Sequence, residues 1–194
     1  MNSFALVFAS VILSFVSGNP TSLPDYKTAD LVWKGEVIPG GEIHTFNGTI
    51  DSIYEKILSI NPDYAQEKFE KKKDSYVPKH QLEKRDNIIC NPGGDMATYR
   101  DLKAVISKLK GMGSSQCTAA AGPRVCTRLG CNHGSYVTFC NDNNYPVTRI
   151  CAELGDMAQR IVDSCIARNS GVVIGQYFNS AANFNALVKG GGAC

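Results

Sequence analysis

The feature that most restricts how this chain can fold is the placement of its cysteines. All eight lie between Cys90 and Cys194: Cys90, Cys117, Cys126, Cys131, Cys140, Cys151, Cys165 and Cys194. Residues 1–89 contain none. An even number of cysteines packed into about a hundred residues reads as a disulfide-stapled module that follows a separate piece. Just before it stands Leu82-Glu83-Lys84-Arg85-Asp86, whose Lys84-Arg85 pair is of the kind that kexin-type processing proteases cut. Lys72-Lys73 is a second, poorer candidate. The expected organisation is a signal peptide over residues 1–18, a pro-segment over 19–85 and a cysteine-rich mature domain over 86–194.

The leader carries an apolar run, Phe4-Ala5-Leu6-Val7-Phe8-Ala9-Ser10-Val11-Ile12-Leu13-Ser14-Phe15-Val16. Val16 and Gly18 suit the small-residue positions of a signal-peptidase site. The run is too short for a membrane span and no second one follows, so stable membrane insertion is not expected. It lacks the Lys or Arg that usually precedes such a run. An oxidising, extracellular destination follows, and with it disulfides rather than thiols.

Charge says little about partners. The formal net charge is +2, too weak to argue for nucleic acid. It divides at the dibasic pair: residues 86–194 hold ten basic and seven acidic side chains, residues 19–85 ten and eleven.

Within 19–85, Leu31-Val32-Trp33 and Glu36-Val37-Ile38 read as short strands around Lys34-Gly35. The run from Ile50 to Leu58 has apolar residues at helical spacing, stopped before Asn61-Pro62. Residues 66–73 are dominated by Glu and Lys, as in a solvated helix or a linker. Asn47-Gly48-Thr49 has the form of an N-glycosylation acceptor. Functionally the stretch reads as a pro-segment that keeps the cysteine-rich part soluble or inactive. The plainer alternative is an exposed extension that is never removed.

The cysteine-rich part opens on the turn Asn91-Pro92-Gly93-Gly94. Asp95 or Thr98 then caps a helix whose Tyr99, Leu102, Val105, Ile106 and Leu109 recur on one face, stopped by Gly111 and Gly113. Residues 114–122 read as a loop carrying Cys117. Residues 125–129 and 135–140 read as a hairpin reversed through Gly130-Cys131-Asn132-His133-Gly134. Asn141-Asp142-Asn143-Asn144 is a polar turn, and Tyr145-Pro146 ends strand character.

A second helix is expected over 150–168, with Cys151, Leu154, Ala158, Ile161, Val162 and Cys165 on one stripe. Val172 to Phe178 and Phe184 to Val188 read as another strand pair, and Gly190-Gly191-Gly192 leads to Cys194, which would pin the terminus. The order αββαββ implies an α+β, two-layer sandwich with two helices on one antiparallel sheet, stapled by disulfides that typically add ~2–4 kcal/mol each.

The hairpin run Arg124-Val125-Cys126-Thr127-Arg128-Leu129-Gly130-Cys131-Asn132-His133-Gly134-Ser135-Tyr136-Val137-Thr138-Phe139-Cys140-Asn141-Asp142-Asn143, the helix between Cys151 and Cys165 and the closing run from Gly175-Gln176 to Cys194 are similar to small secreted fungal proteins. These are cysteine-rich candidate effectors that resemble killer toxins and necrosis-inducing-factor-like domains. The resemblance covers the cysteine-rich part and not residues 19–85. It implies a secreted effector or toxin-like protein that acts by binding a host or competitor-cell protein or surface component. It carries no functional residue across.

Enzyme chemistry finds little purchase. A Ser-His-Asp or Cys-His site in the mature part would have to use His133, which reads as a turn residue. Paired acids would be Glu153 with Asp156 or Asp163, at helical spacings that suit a solvated face. Ser114-Ser115 lacks the closing glycine of a nucleophile elbow, and Gly190-Gly191-Gly192 reads as a tether rather than a phosphate cradle. Four residues separate Cys126 from Cys131 and eight separate Cys131 from Cys140, which is not zinc-knuckle spacing. No metal, cofactor or catalytic residue is expected. A small hydrolase using a site around His133 and Asp142, and a carbohydrate-binding protein using Tyr136, Tyr145, Tyr177 and Phe184, are the competing readings.

Overall fold

A computed structural model describes residues 26–64 and 86–194. The expected signal peptide, the charged run at 66–73 and Lys84-Arg85 lie outside the described residues. In chain order the elements are β1 (Lys27–Ala29), β2 (Leu31–Glu36), β3 (Ile43–Gly48), α1 (Ile50–Ile60), β4 (Asp86–Cys90), β5 (Ala97–Thr98), α2 (Tyr99–Gly111) and β6 (Gln116–Ala119). They continue as β7 (Val125–Asn132), β8 (Ser135–Asn141), β9 (Val147–Ile150), α3 (Cys151–Cys165), β10 (Val172–Val173), β11 (Gly175–Asn179) and β12 (Phe184–Lys189).

The strands form a six-stranded sheet in the order β1-β7-β8-β12-β11-β4, a four-stranded sheet β3-β2-β6-β9 and the small pair β10-β5. In the first sheet only β1 runs parallel to its neighbour, with Lys27 to Ala29 opposite Val125 to Thr127. The fold is α+β and disulfide-rich, as expected. The expected αββαββ sandwich with two helices on one sheet is not what forms, because three helices and two larger sheets enclose the core among the described residues.

The hairpin β7–β8 is the strongest local unit. His133 and Gly134 alone make its turn, with φ of 45° and 78°, the left-handed pair that matches strand twist. Gly130 and Cys131, read as turn residues, therefore belong to β7, past an irregularity between Arg128 and Gly130. Gly130 has a second use. A Cβ there would lie 2.7 Å from Val105 and 2.8 Å from Ile50, so its bare backbone lets α2 and α1 both reach the sheet.

Helix α1 forms for local reasons. The Thr49 hydroxyl accepts from the Ser52 amide at 3.3 Å, Asp51 sits in the first turn, and Asn61 closes the end by donating its amide to Ile57. Its stripe of Ile50, Ile53 and Ile57 is buried. Helix α2 follows Thr98 and buries Leu102, Val105, Ile106 and Leu109. Helix α3 crosses it closely at Gly155, where a Cβ would stand 3.1 Å from Leu109.

Several boundaries depart from the periodicity. The run at 31–38 is one strand, Leu31–Glu36, whose partner is Ile43–Gly48 rather than a second half of itself. The expected loop at 114–122 contains β6, paired on both sides by β2 and β9. Strand character returns after Pro146 as β9, and α3 stops at Cys165, short of residue 168.

The largest departure concerns residues 26–64. They are not a separate piece. Leu31, Trp33, Val37, Ile50, Ile53, Ile57 and Tyr64 are at most 1% exposed, and they share one apolar core with Leu109, Leu129, Phe139 and Leu154. Trp33 stacks on Phe46 at 5.5 Å between ring centroids and stands opposite Cys117 in the ladder. Its Nε1 meets no acceptor among the described residues, so the ring is held by area and stacking.

Trp33→Ala is therefore expected to cost ~3–5 kcal/mol and Ile53→Ala ~2–5 kcal/mol, while the exposed Thr45→Ala stays within ~0.5 kcal/mol. Guanidinium unfolding of the intact chain tests this. Equal midpoints for all three variants would show that residues 26–64 do not pack as described.

Candidate functional site

Every cysteine is in a disulfide: Cys90–Cys165, Cys117–Cys151, Cys126–Cys140 and Cys131–Cys194. The bridges tie β4 to the end of α3, β6 to the start of α3, β7 to β8 at directly opposed positions, and β7 to the C-terminal run. The expectation that Cys151 and Cys165 tie the second helix to its neighbours holds, and so does the pinning of the terminus by Cys194. No thiolate is left to bind zinc. Among the described residues no group of three or more His, Cys, Asp or Glu side chains is placed to hold a metal ion. Four disulfides fit an oxidising, extracellular compartment. Among the described residues no helix is long and apolar enough to cross a membrane.

The side chains proposed for catalysis do not converge. His133 is 82% exposed at the hairpin tip, its Nδ1 3.4 Å from Asp101. Asp142 follows the other end of β8, a strand of seven residues, which at ~3.4 Å per residue puts the two roughly 20 Å or more apart. Asp156 is engaged by Lys110 at 2.9 Å between α3 and α2, and Asp163 accepts from Gln159 at 2.8 Å. The solvated-face reading of these acids is thus right for Asp163, and Asp156 instead joins two helices. Of the four aromatic residues considered for carbohydrate contact, Tyr136, Tyr177 and Phe184 are buried and Tyr145 is exposed.

Two polar clusters remain. The first is the turn after β8, which acts as a knot. Asn141 Nδ2 donates to the carbonyls of Ala120 and Tyr145 at 2.9 and 2.7 Å. Its Oδ1 accepts from the Asn143 amide and side chain, and Asn143 Nδ2 donates to the carbonyls of Ala182 and Asn183. Three loops are thereby fixed by buried, hydrogen-bonded amides, a structural role.

The second cluster crosses from residues 86–194 to residue 26. Gln176 donates to Asn185 at 2.9 Å, and Asn185 donates to Asp142 at 3.2 Å. The Tyr26 hydroxyl lies beside Asn185 and Gln176. Burial raises the Tyr26 pKa most, followed by repulsion from the Asp142 carboxylate; the two amides and Arg124 act in the opposite sense. The phenol stays protonated and neutral, an anchor rather than a nucleophile.

This anchor is one part of a longer junction. The Lys27 amide donates to the Arg124 carbonyl at 3.0 Å, and Asp51 pairs with Lys108, whose ammonium also lies 5.3 Å from the Tyr54 ring centroid. Tyr64 and Ser115 share a hydrogen bond at 3.5 Å, and burial raises the Tyr64 pKa above its usual range. Beside it a shallow concavity of about 280 Å³ is lined from both sides of the junction, by Lys34, Gly35, Glu36 and Ile43 on one side and Ser114, Ser115 and Gln116 on the other. Asn47 lies on β3 with its side chain exposed.

Sequence reasoning missed Tyr26, Trp33, Gly130, Gln176 and Asn185 as residues of this junction. Gln176 and Asn185 left a trace: each is an amide side chain set among mostly apolar strand residues. No protein-family model matches the chain, and neither the curated proteins nor the solved structures provide a match. The functional reading rests on the chain's own residues.

Tyr26 and Tyr64 make the fold sensitive to alkali. Each has a folded-state pKa above the value of 10.0 expected when exposed. Their contribution is therefore complete below about pH 10 and is lost as pH climbs from there towards the folded values. The expected outcome is that Tyr26→Phe lowers the melting temperature at pH 7 but shows a shallower fall between pH 9.5 and 11 (about the range a tyrosine titrates). Parallel curves for variant and parent would remove Tyr26 from the junction.

Proposed function

We propose that this chain is the precursor of a secreted, disulfide-stapled protein of effector or toxin type, matured by kexin-type cleavage after Arg85. It acts by binding a component of a host or competitor cell. The observation that carries this reading is the closure of all eight cysteines into four bridges within residues 86–194. A chain that invests every cysteine in structure is built for an oxidising exterior. Action by surface rather than by chemistry is supported by the separation of His133 from Asp142 and by the engagement of Asp156 with Lys110. The exposure of Asn47 on β3 fits a glycosylated secretory route.

The secreted protein should carry a chain beginning at Asp86. N-terminal sequencing from a kexin-competent host measures it, and a sole start near Asn19 would refute the processing step. Function should depend on the staples and not on the imidazole. Cys165→Ser opens the bridge to Cys90 and leaves that thiol unpaired, at a cost of ~2–5 kcal/mol, so secretion and melting temperature should both fall. His133→Ala should fold and act normally. If His133→Ala folds normally but abolishes the biological effect, the hydrolase reading displaces this one.

A further inference from the structure

The structure bears on what happens to residues 26–64 once the chain is cut. We infer that they remain bound as a second, non-covalent chain, so that the working protein is a two-chain complex and not a free 86–194 domain. This rests on the proposed cleavage after Arg85. The surface of 86–194 that receives them is specific, and three independent features define it.

The first is strand pairing. β1 completes the edge of β7, and β2 pairs with β6 through Val32, Trp33 and Lys34 opposite Thr118, Cys117 and Gln116. Without residues 26–64, β7 and β6 would each present an open row of amides and carbonyls, and the four-stranded sheet would shrink to β6 and β9. Open edges of that kind invite pairing with other chains.

The second is burial. Trp33 and Ile50 each meet a partner on the far side of the cut. Trp33 stands on Cys117, itself fully buried with its bridge to Cys151. Ile50 sits where a Cβ on Gly130 would collide with it. The glycine of the receiving surface and the isoleucine of the bound segment fit one another, as in a core rather than a linker contact.

The third is the polar frame. The Tyr26 hydroxyl lies beside Gln176 and Asn185, the Lys27 amide donates to the Arg124 carbonyl, Asp51 pairs with Lys108 and Tyr64 shares a hydrogen bond with Ser115. These contacts lie along the whole of 26–64, from its first described residue to its last. Nothing covalent duplicates them, because residues 19–85 contain no cysteine. The contacts alone must hold the segment.

The experiment uses the full chain as secreted. The protein is purified and measured twice, by mass spectrometry under denaturing conditions and by native mass spectrometry with size exclusion. Two chains when denatured, and one species of summed mass when native, is the expected result. Two chains when denatured, with a native species that has lost the shorter chain, overturns the inference. A single uncut chain when denatured counts against the cleavage reading instead. The inference is then tested on a variant with a heterologous protease site in place of Lys84-Arg85, cut after purification. Co-elution of its two chains supports retention and separation overturns it. In either cut form, Trp33→Ala should lower the guanidinium concentration at which the shorter chain leaves; no shift would count against the proposed surface.

Discussion

The contact on which the rest of the molecule depends is β2 against β6. It places the largest buried side chain among the described residues, Trp33, opposite Cys117 in the ladder. Cys117 in turn is bridged to Cys151, the first residue of α3. One ladder position thus connects a cysteine-free strand, a disulfide and the start of the helix that spans β11 and β12. Remove the ring and two things lose support together: the packing of the four-stranded sheet and the stacking surface of Phe46.

Disulfides and apolar packing divide the work between them. The bridges constrain residues 86–194 alone, and two of them close long loops, with sequence separations of 75 and 63. Constraint of this sort acts largely on the unfolded chain. It does nothing for residues 26–64, which must be held by what they bury and bond. The Asn141–Asn143 knot adds a third device. It uses buried amides to fix three loops at the end of β8 opposite the hairpin tip, so neither end of the long hairpin is left to fray.

How much of this was legible from sequence depended on the range of the interaction. Helices α1, α2 and α3 announced themselves by stripes of Ile50-Ile53-Ile57, of Leu102-Val105-Leu109 and of Leu154-Ala158-Ile161. Of the three only α1 carries a side-chain cap, from Thr49; Thr98 precedes α2 without capping it. The His133-Gly134 reversal was equally local. Strands β6 and β9 were illegible because four residues are too few to show alternation, and Ser, Gly and Pro around them read as loop. The junction failed for a different reason. An amphipathic stripe reports that a face is buried but never against what, and the uneven cysteine distribution argued for two bodies. Covalent staples mark where a chain is constrained, and core membership is a separate property. Tyr26, Gln176 and Asn185 meet from distant parts of the sequence, and no spacing rule could have joined them.

The balance of forces at the junction says what should govern it. The halves carry opposite formal charge, ten basic against seven acidic residues on one side and ten against eleven on the other, which invites an electrostatic account. The geometry does not favour one. Among the described residues Asp51 and Lys108 form a direct ion pair between them, and their side chains are 43% and 30% exposed. A pair so open to water is screened and worth roughly 0–1 kcal/mol. Full burial of a single Ile or Leu contributes ~1.5–3 kcal/mol, and seven apolar side chains of residues 26–64 are essentially inaccessible. Apolar burial dominates by several-fold, with strand pairing supplying register rather than strength. An association of that kind responds little to charge screening at moderate ionic strength, tightens in kosmotropic salts and weakens on cooling or in chaotropes. The small charge difference between the halves steers little; shape and area decide whether they stay together.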